Sequence, residues 1–383
     1  MNITIAGAGV VGCAIAHELA SRGARVRVLD SRGPGGGATR ASAGILAPHI
    51  EGHDPTMLAL GVRSLDLYDE FVSRVAADAG TNVEYERKGT LEIASTLDKA
   101  NRLERRARSL GNASIEHQLL DAGGVRRLEP AVTAAAVAGL HIPRHGYVAA
   151  GDLTRALASA AITRGATFDV GSVVAVEDGV GGHAGAGAGT SVGTSSVARV
   201  RTADAVIESD VVIVAAGSWS TSLDGVSASG KAQPAAVKPI RGQLLQLRLP
   251  ERPAERVIWG EDCYLVARQD GSVLVGATVE DVGFDERATS SGVQQLLQGA
   301  SALMPALAGA AFEEVRVGLR PKTLDELPLV GASSTMPHVF YATGHYRNGV
   351  LLAPLTARLV ADLVLEGKAD DHLALLQPRR FGL

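Results

Sequence analysis

The apolar pattern at the start of the chain changes abruptly at a cluster of glycines. The apolar run Met1–Ala6 predicts a buried strand, and Cys13–Arg22 predicts a helix. Between them lies the glycine-rich turn Gly7–Gly12 (GAGVVG), and after the helix Ala24–Asp30 (ARVRVLD) predicts a second strand that ends on a carboxylate. This order of strand, glycine turn, helix and acidic strand is typical of a dinucleotide-binding unit.

Each glycine of the turn has a separate physical role in such a unit. Gly7 permits the tight turn out of the strand, Gly9 lets the backbone approach a pyrophosphate, and Gly12 lets the helix pack closely on the strand. The free N–H groups and the positive end of the helix face the phosphates. Asp30, eighteen residues after Gly12, is placed to accept hydrogen bonds from ribose hydroxyls.

The pattern of apolar residues in the remaining chain predicts both helices and strands. Asp152 is expected to cap the helix that it begins. The helices are predicted at Leu58–Val75, Leu97–Leu110, Leu119–Leu128, Asp152–Arg164, Val293–Met304 and Gly349–Glu366. The strands are predicted at Gly89–Ala94, Ser172–Glu177, Val197–Thr202, Ala205–Glu208, Asp210–Trp219, Gly242–Leu247, Cys263–Arg268, Val273–Thr278, Val315–Arg320 and Val339–Gly344.

With 383 residues the chain is too long for one compact core, so two domains are expected. The fold class is α/β, or α+β overall, with a Rossmann-like nucleotide-binding domain and an interleaved antiparallel-sheet substrate domain. We assign residues 1–80, 145–220 and 335–383 to the first domain, and 81–144 and 221–334 to the second. The Gly/Ala/Ser/Thr-rich tract Asp178–Ser196 is expected to be a low-complexity hairpin loop.

Composition and charge exclude several classes of partner. A formal net charge of −4 gives no reason to expect nucleic acid or an anionic membrane. No stretch reaches eighteen uncharged apolar residues, so no membrane span and a cytoplasmic location are expected. The two cysteines, Cys13 and Cys263, lack metal-ligand spacing, and no metal site is expected.

Several longer motifs extend the nucleotide-binding pattern across nearly the whole chain. Beside GAGVVG they are GATRASAGILAP, VVIVAAGSW, CYLVARQDGSVLVGAT, VGLRP and GHYRNGVLLAP. Together they resemble the FAD-dependent D-amino-acid oxidase and glycine oxidase family, in particular the glycine oxidase branch associated with thiamine biosynthesis. The resemblance runs from Ile3 to about Glu366.

The resemblance implies FAD as the cofactor. The binding should be noncovalent, because the segment Arg320–Thr323 lacks the cysteine that attaches flavin in related sarcosine oxidases. The last helix would place its N-terminal dipole at the flavin, and Pro354 would fall within its first turns, where a missing N–H costs least. Together with the glycine turn, the implied cofactor-binding residues are Gly7, Gly9, Val10, Val11, Gly12, Asp30, Ser31, Thr39, Ala43, Gly44, Ile45, Val173, Gly217, His345, Tyr346, Arg347, Asn348, Gly349, Val350 and Leu351.

The resemblance also implies three catalytic residues. Arg347 matches the arginine that binds the substrate carboxylate, a task suited to the two parallel hydrogen bonds of a guanidinium. Tyr264 matches the tyrosine whose hydroxyl supports that carboxylate, and Arg320 matches a second active-site arginine. The implied reaction is hydride transfer from glycine or a similar small amine, such as sarcosine or D-alanine, to flavin N5. Oxygen then forms hydrogen peroxide, and the imine gives glyoxylate and ammonia.

Other functions stay open at this stage. One is a dehydrogenase of D-amino acids or secondary amines that uses an acceptor other than oxygen, and another is a non-catalytic FAD subunit of a larger complex. Val279 stands where the glycine oxidase branch often has methionine, which leaves the side-chain preference of the substrate open. The family suggests a homo-oligomer that serves thiamine thiazole biosynthesis.

Overall fold

The computed structural model describes residues 1–50, 54–179, 197–225 and 236–383. Most of the tract Asp178–Ser196, for which we predict a hairpin loop, lies outside the described residues. The predicted elements are otherwise all within the described ranges, so their bounds can be compared directly.

The strands of the described residues belong to four sheets. In chain order they are β1 (Asn2–Ala6), β2 (Arg25–Asp30), β3 (Ile45–Leu46), β4 (Tyr85–Glu86), β5 (Thr90–Ala94), β6 (Gln118–Asp121), β7 (Ala138–Ile142), β8 (Gly146–Val148), β9 (Thr167–Val170), β10 (Val173–Gly179), β11 (Val197–Thr202), β12 (Val206–Ser209), β13 (Val211–Val214), β14 (Val237–Arg248), β15 (Val257–Trp259), β16 (Tyr264–Ala267), β17 (Ser272–Gly276), β18 (Ala311–Thr323), β19 (Leu329–Ala332) and β20 (Val339–Thr343).

The same ranges contain nine α-helices. They are α1 (Val10–Ser21), α2 (Pro55–Asp66), α3 (Tyr68–Ala79), α4 (Leu97–Asn112), α5 (Ala122–Leu128), α6 (Ala150–Thr163), α7 (Ser290–Leu303), α8 (Gly349–Glu366) and α9 (Leu373–Leu376). Short 3₁₀ helices occur at Ala38–Ala41, Gly217–Trp219, Pro305–Gly309 and Pro378–Phe381. No helix in the described part of the chain combines the length and the apolar character that a membrane crossing requires.

A six-stranded sheet with β1 near its centre carries the nucleotide-binding unit. Its order is β19-β20-β13-β1-β2-β9, and β1 pairs in parallel with β13 on one side and β2 on the other. The central strands are short, mainly apolar runs, such as Ile3–Ala6 and Val211–Val214, because both faces of the sheet are covered. Helices α1, α6 and α8 pack on one face, and the small sheet of β10, β11 and β12 packs on the other. The Rossmann-like α/β fold predicted from the sequence is confirmed.

The second large sheet has eight strands in the order β18-β14-β17-β16-β15-β5-β7-β6. Its pairs are antiparallel apart from β15 and β5. The long strands β14 and β18 pair from Val237↔Thr323 to Arg248↔Ala311 and form its outer part. Two three-stranded sheets complete the structure, β10-β11-β12 and β3-β8-β4.

The chain crosses between the two large sheets more than once. Residues 90–142 and 237–323 supply the eight-stranded sheet, whereas the chain on either side of these ranges supplies the six-stranded sheet. The strand β19 pairs with β20 in the six-stranded sheet, although the sequence-based division places residues 329–332 in the substrate domain. We therefore propose that the domain boundary lies before Leu329 rather than after residue 334.

Four local predictions need correction. The strand expected at Asp210–Trp219 ends at Val214, and Gly217–Trp219 forms a 3₁₀ helix. The helix expected at Leu58–Val75 is two helices, α2 and α3, with Leu67 between them. The helix expected at Leu119–Leu128 begins only at Ala122, because its first residues form β6. Asp152 does not cap its helix, since α6 begins at Ala150 and Asp152 lies in the first turn.

Candidate active site

One elongated cavity of about 840 Å³ lies between the six-stranded and eight-stranded sheets. It begins at the carboxyl ends of β1, β2 and β13 and extends across β14, β17 and β18 to the first turn of α8. Ligands of open α/β sheets bind at this edge. We call the part beside Asp30 the cofactor end and the part beside Arg347 the substrate end.

The glycine turn after β1 is packed too closely to accept a side chain at Gly7 or Gly12. A Cβ on Gly7, whose φ is +114°, would lie 2.4 Å from the Ala215 carbonyl oxygen. A Cβ on Gly12 would lie 2.0 Å from the Gly7 oxygen. Gly7 and Gly9 line the cavity, while Gly12 lies behind the turn and serves helix packing.

Asp30 and Thr39 hold the turn from the cavity side. The two carboxylate oxygens of Asp30 accept hydrogen bonds from the backbone N–H groups of Ala8 at 2.8 Å and Arg32 at 2.7 Å. Thr39 Oγ1 accepts from the Val10 N–H at 3.1 Å. Since a carboxylate has about four acceptor sites, Asp30 keeps acceptor capacity for a ligand.

The loop before β3 reaches the cavity through a second close approach. Gly44 has φ of +71°, and a Cβ there would lie 1.7 Å from the Val148 carbonyl oxygen. The Val148 N–H donates to the Gly44 oxygen at 2.9 Å, which fixes the loop against β8. Ala43, Gly44 and Ile45 thereby line the cavity with backbone and apolar side chains.

The first turn of α8 forms the cavity wall between the two ends. Asn348, Gly349, Val350 and Leu351 all line it. Pro354 lies within the first two turns of the helix, as predicted, but beyond the residues whose N–H groups have no helical acceptor, and it cannot donate to the Val350 carbonyl oxygen. The buried Tyr68 hydroxyl donates to that oxygen at 2.6 Å instead, which satisfies the backbone group that the proline leaves open.

His345 is a buried neutral histidine at this wall. Its Nε2 lies 3.0 Å from Thr356 Oγ1, and burial lowers its pKa to about 4. The imidazole is therefore uncharged at neutral pH and has little capacity to act as a base. This agrees with a packing role for His345 beside the cofactor.

Tyr264 extends across the floor of the substrate end. It is paired with Gly276 across β16 and β17, and a Cβ on Gly276 would lie 2.3 Å from the Tyr264 hydroxyl oxygen. The ring also packs against Trp259, with the ring centres 5.2 Å apart. Gly276 therefore provides the space in which the tyrosine ring lies against the sheet.

Arg320 is held on the same floor by backbone carbonyl groups. Its Nη1 donates to the oxygen of Thr278 at 3.0 Å and to that of Arg241 at 3.4 Å. A Cβ on Gly242 would lie 2.2 to 2.3 Å from the guanidinium atoms of Arg320, so the group rests directly on this glycine. These two neutral carbonyl acceptors orient the guanidinium on the floor of the cavity.

Arg347 reaches the substrate end from the opposite wall. Tyr346 precedes it with a left-handed φ of +48°, and the Arg347 guanidinium carbon lies 5.1 Å from the centre of the Tyr346 ring. Lys322 approaches the same ring, with Nζ 5.0 Å from its centre. The tyrosine ring thus lies near two cationic side chains at the cavity rim.

The structure brings the predicted residues together in this one cavity. Tyr264, Arg320 and Arg347 line it, as do all the predicted cofactor-binding residues except Gly12. Sequence reasoning missed several residues of the cavity floor and wall. The signal for some of them is a glycine inside a strand pattern, which indicates that other atoms approach the backbone closely there. The missed lining residues with a structural role are Arg32, Gly242, Gly276 and Gly318; Trp219 and Trp259, which we expect at the core or the rim, also line the cavity.

The comparisons with known proteins agree with this geometry. Residues 2–363 match the family described as FAD dependent oxidoreductase. The chain belongs to this family. A glycine oxidase from Geobacillus kaustophilus is 32% identical to this FAD dependent oxidoreductase over 380 residues, which is 97% of this chain and 95% of that enzyme. A crystal structure of glycine oxidase from the same organism has a TM-score of 0.87 at 30% identity and covers 98% of this chain and 97% of that one.

A longer relative matches over one part of its length. The bifunctional protein ThiO/ThiG of Nostoc sp. (strain PCC 7120) is 36% identical over 380 residues, which is 97% of this chain and 54% of that protein. This chain therefore spans about half the length of the bifunctional relatives that it matches.

The residues at the cofactor end fit FAD, the cofactor of the family. The first turn of α1 carries no acidic residue, and its N-cap, Gly9, supplies no side chain, so the helix N-terminus presents backbone N–H groups and positive dipole to an anion. Gly44 and the turn at Gly7 bring further backbone into the wall. Among the described residues, no group of three or more His, Cys, Asp or Glu side chains is arranged to bind a metal ion.

Proposed function

We propose that this enzyme oxidises glycine, and small amines such as sarcosine and D-alanine, with oxygen as the electron acceptor. For glycine, the overall reaction consumes oxygen and water and gives glyoxylate, ammonia and hydrogen peroxide. FAD, when bound noncovalently, supplies a two-electron acceptor for the hydride of the substrate alpha carbon and returns the electrons to oxygen. The glycine oxidases among the relatives support this substrate class.

The observation that carries the proposal is the meeting of three side chains from distant parts of the chain. Tyr264 comes from β16, Arg320 from β18 and Arg347 from the segment before α8, and all three line the substrate end. Two guanidinium groups and a phenol form a site of positive charge and hydrogen-bond donors. This is the chemistry that a carboxylate requires.

The residues around this site favour orientation over acid–base chemistry. We assign carboxylate binding to Arg347 and support of the same group to Tyr264 and Arg320. His345, whose pKa burial lowers to about 4, does not provide a base at neutral pH. Binding through the carboxylate would fix the alpha carbon of a small amino acid relative to the wall formed by α8, and such positioning contributes much of the rate in reactions of this kind.

The biological setting and the assembly belong to the same proposal. The bifunctional ThiO/ThiG relatives support a role in forming the thiazole of thiamine. We further propose a cytoplasmic homo-oligomer with noncovalent FAD. Light scattering of the purified protein tests the assembly, and release of free FAD on acid precipitation tests the mode of attachment.

The decisive experiment is a peroxide-coupled assay of the FAD-loaded protein with glycine, sarcosine, D-alanine and D-proline. We expect peroxide from glycine and a loss of about 100-fold or more in kcat/KM for Arg347→Ala, because a bidentate carboxylate contact is removed. Arg108→Ala, at an arginine of α4 that is 73% exposed, is the matched control and should retain activity.

The other outcomes separate the alternatives. If an amine bleaches the flavin without air but no peroxide forms in air, the protein is a dehydrogenase with another acceptor. If none of the four amines bleaches the flavin, the proposed substrate class is wrong. Full activity of Arg347→Ala would contradict the assigned carboxylate site.

A further inference from the structure

Two loops meet across the carboxyl end of the central strand β1. One follows β2 and carries Arg32, and the other follows β13 and carries Trp219. Because β2 and β13 flank β1 on opposite sides, a contact between these loops passes over the glycine turn. The Arg32 guanidinium carbon lies 4.7 Å from the centre of the Trp219 ring, and both side chains line the cavity.

A segment of the other large sheet braces this contact from outside. We call residues Val279–Arg287, which follow β17, the strap. Phe284 of the strap packs on Trp219 with ring centres 5.7 Å apart. Glu286 receives two hydrogen bonds of 2.7 Å from the Arg32 guanidinium. Arg32 and Trp219, which meet over the glycine turn, therefore each have a partner on the strap.

Ionic contacts of one buried arginine hold the base of the strap on the eight-stranded sheet. The buried Arg241 of β14 pairs with Glu280 at 2.6 Å and with Asp285 at 3.0 Å. Its guanidinium also donates to the Arg287 carbonyl oxygen at 3.1 Å. Gln243, which is fully buried, donates to Glu280 at 2.8 Å. The strap is consequently a constrained segment that connects the eight-stranded sheet to the cofactor end of the cavity.

We propose that Arg32, Trp219, Phe284 and Glu286 form a clasp that closes the cofactor end of the cavity and limits the rate at which FAD leaves. Arg32 and Trp219 come from loops at the edge of the six-stranded sheet, and Phe284 and Glu286 come from the strap. Opening the clasp therefore requires the strap to separate from the loops after β2 and β13. The clasp lies over the turn that receives the pyrophosphate in this fold. A dinucleotide bound there cannot leave past this side of the turn while the clasp is closed.

The test follows the release of FAD from the loaded protein after dilution, by the rise in flavin fluorescence, with no amine present. We expect Phe284→Ala to release FAD about tenfold faster, because it removes an aromatic contact, and Glu286→Gln about threefold faster, because its ion pair is partly exposed. Raising the salt concentration should accelerate release from the wild type more than from Glu286→Gln, because salt screens an exposed ion pair.

Two matched controls distinguish the clasp from general loosening of the fold. Phe312→Ala removes a phenylalanine with 51% exposure on β18, compared with 49% for Phe284. Glu313→Gln breaks the Arg248–Glu313 pair, in which Glu313 is 27% exposed, compared with 33% for Glu286. Both controls should release FAD at the wild-type rate.

Release from Phe284→Ala and Glu286→Gln within about a factor of two of the wild-type rate would overturn the proposal, as would equal acceleration in the controls. If Phe284→Ala lowers the melting temperature of the apoprotein more than Phe312→Ala does, the variant loosens the fold in general. The rate of FAD release from Glu286→Gln then decides whether the proposal stands. The measurement of FAD release uses no substrate, so its result does not depend on whether the protein oxidises glycine.

Discussion

The cofactor end and the substrate end of the cavity are built in different ways. At the cofactor end, short local segments supply mainly backbone, as in the turn that begins at Gly7 and the loop around Gly44. At the substrate end, side chains from three distant elements, Tyr264, Arg320 and Arg347, converge over glycines of the eight-stranded sheet. A dinucleotide is bound by backbone geometry, whereas a small carboxylate is bound by a few charged side chains.

This difference has a consequence for mutation. Glycines serve both ends, but for separate reasons. At the cofactor end they let two backbone segments approach each other, and at the substrate end they make room for one functional side chain. A methyl group added at the first kind of glycine should disrupt the fold, while one added at the second kind should disturb the reaction alone.

The largest effect is expected for Gly44→Ala. Its Cβ would lie 1.7 Å from the Val148 carbonyl oxygen, and the left-handed φ of +71° adds strain for any side chain. We expect a loss of more than about 4 kcal/mol of folding free energy, seen as failure to recover folded, FAD-loaded protein.

Gly33→Ala is the matched control for backbone strain. Gly33 has a similar φ of +76°, but no atom lies within 4 Å of its added Cβ. This variant should lose only about 1 kcal/mol in chemical denaturation and should bind FAD normally. Equal losses in the two variants would show that backbone conformation, and not the close approach to β8, determines the role of Gly44.

An intermediate effect is expected for Gly242→Ala at the substrate end. The added Cβ would lie 2.2 to 2.3 Å from the Arg320 guanidinium, which must move away from the carbonyl groups of Thr278 and Arg241. Displacing one charged contact should lower kcat/KM for glycine about 30-fold, equivalent to about 2 kcal/mol, with FAD affinity unchanged. Gly309→Ala, with no atom within 4 Å, is the control. A matching loss of FAD affinity in Gly242→Ala would remove the distinction between the two ends.

The same difference explains what could be predicted from the sequence. The glycine turn and Asp30 are local patterns, so the Rossmann-like fold and a nucleotide site follow from them directly, whereas the other cofactor-binding residues, including the start of α8, follow from the family resemblance. The roles of Gly242 and Gly276 depend on which strands become neighbours in the sheet. Their positions inside strand patterns signal a close approach, but the partner side chains, Arg320 and Tyr264, lie 78 and 12 residues away in sequence.

The incorrect elements have equally specific causes. The apolar period of Leu58–Val75 continues through Leu67, whose backbone is itself near-helical, so periodicity cannot reveal the break between α2 and α3. The strand β6 is largely exposed and lies at the edge of its sheet, so it lacks the alternation that identifies a strand. The contact between Arg32 and Glu286 joins two loops 254 residues apart, and no local pattern encodes it.

The smallest effect tests the wall that joins the two ends. Tyr68→Phe removes the hydroxyl that donates to the Val350 carbonyl oxygen, which Pro354 leaves without a helical partner. Because this oxygen stays buried, the change should cost about 1.5 kcal/mol of unfolding free energy in chemical denaturation. Tyr85→Phe is the control. Its hydroxyl donates to the exposed carboxylate of Asp69 and accepts from Arg87, which keeps other acceptors, so its loss should cost at most about 0.5 kcal/mol. Since Val350 lines the cavity in the first turn of α8, Tyr68→Phe should also weaken FAD binding slightly. Unchanged stability in Tyr68→Phe would mean that the Val350 oxygen finds another donor, and the proline would then need no support from α3.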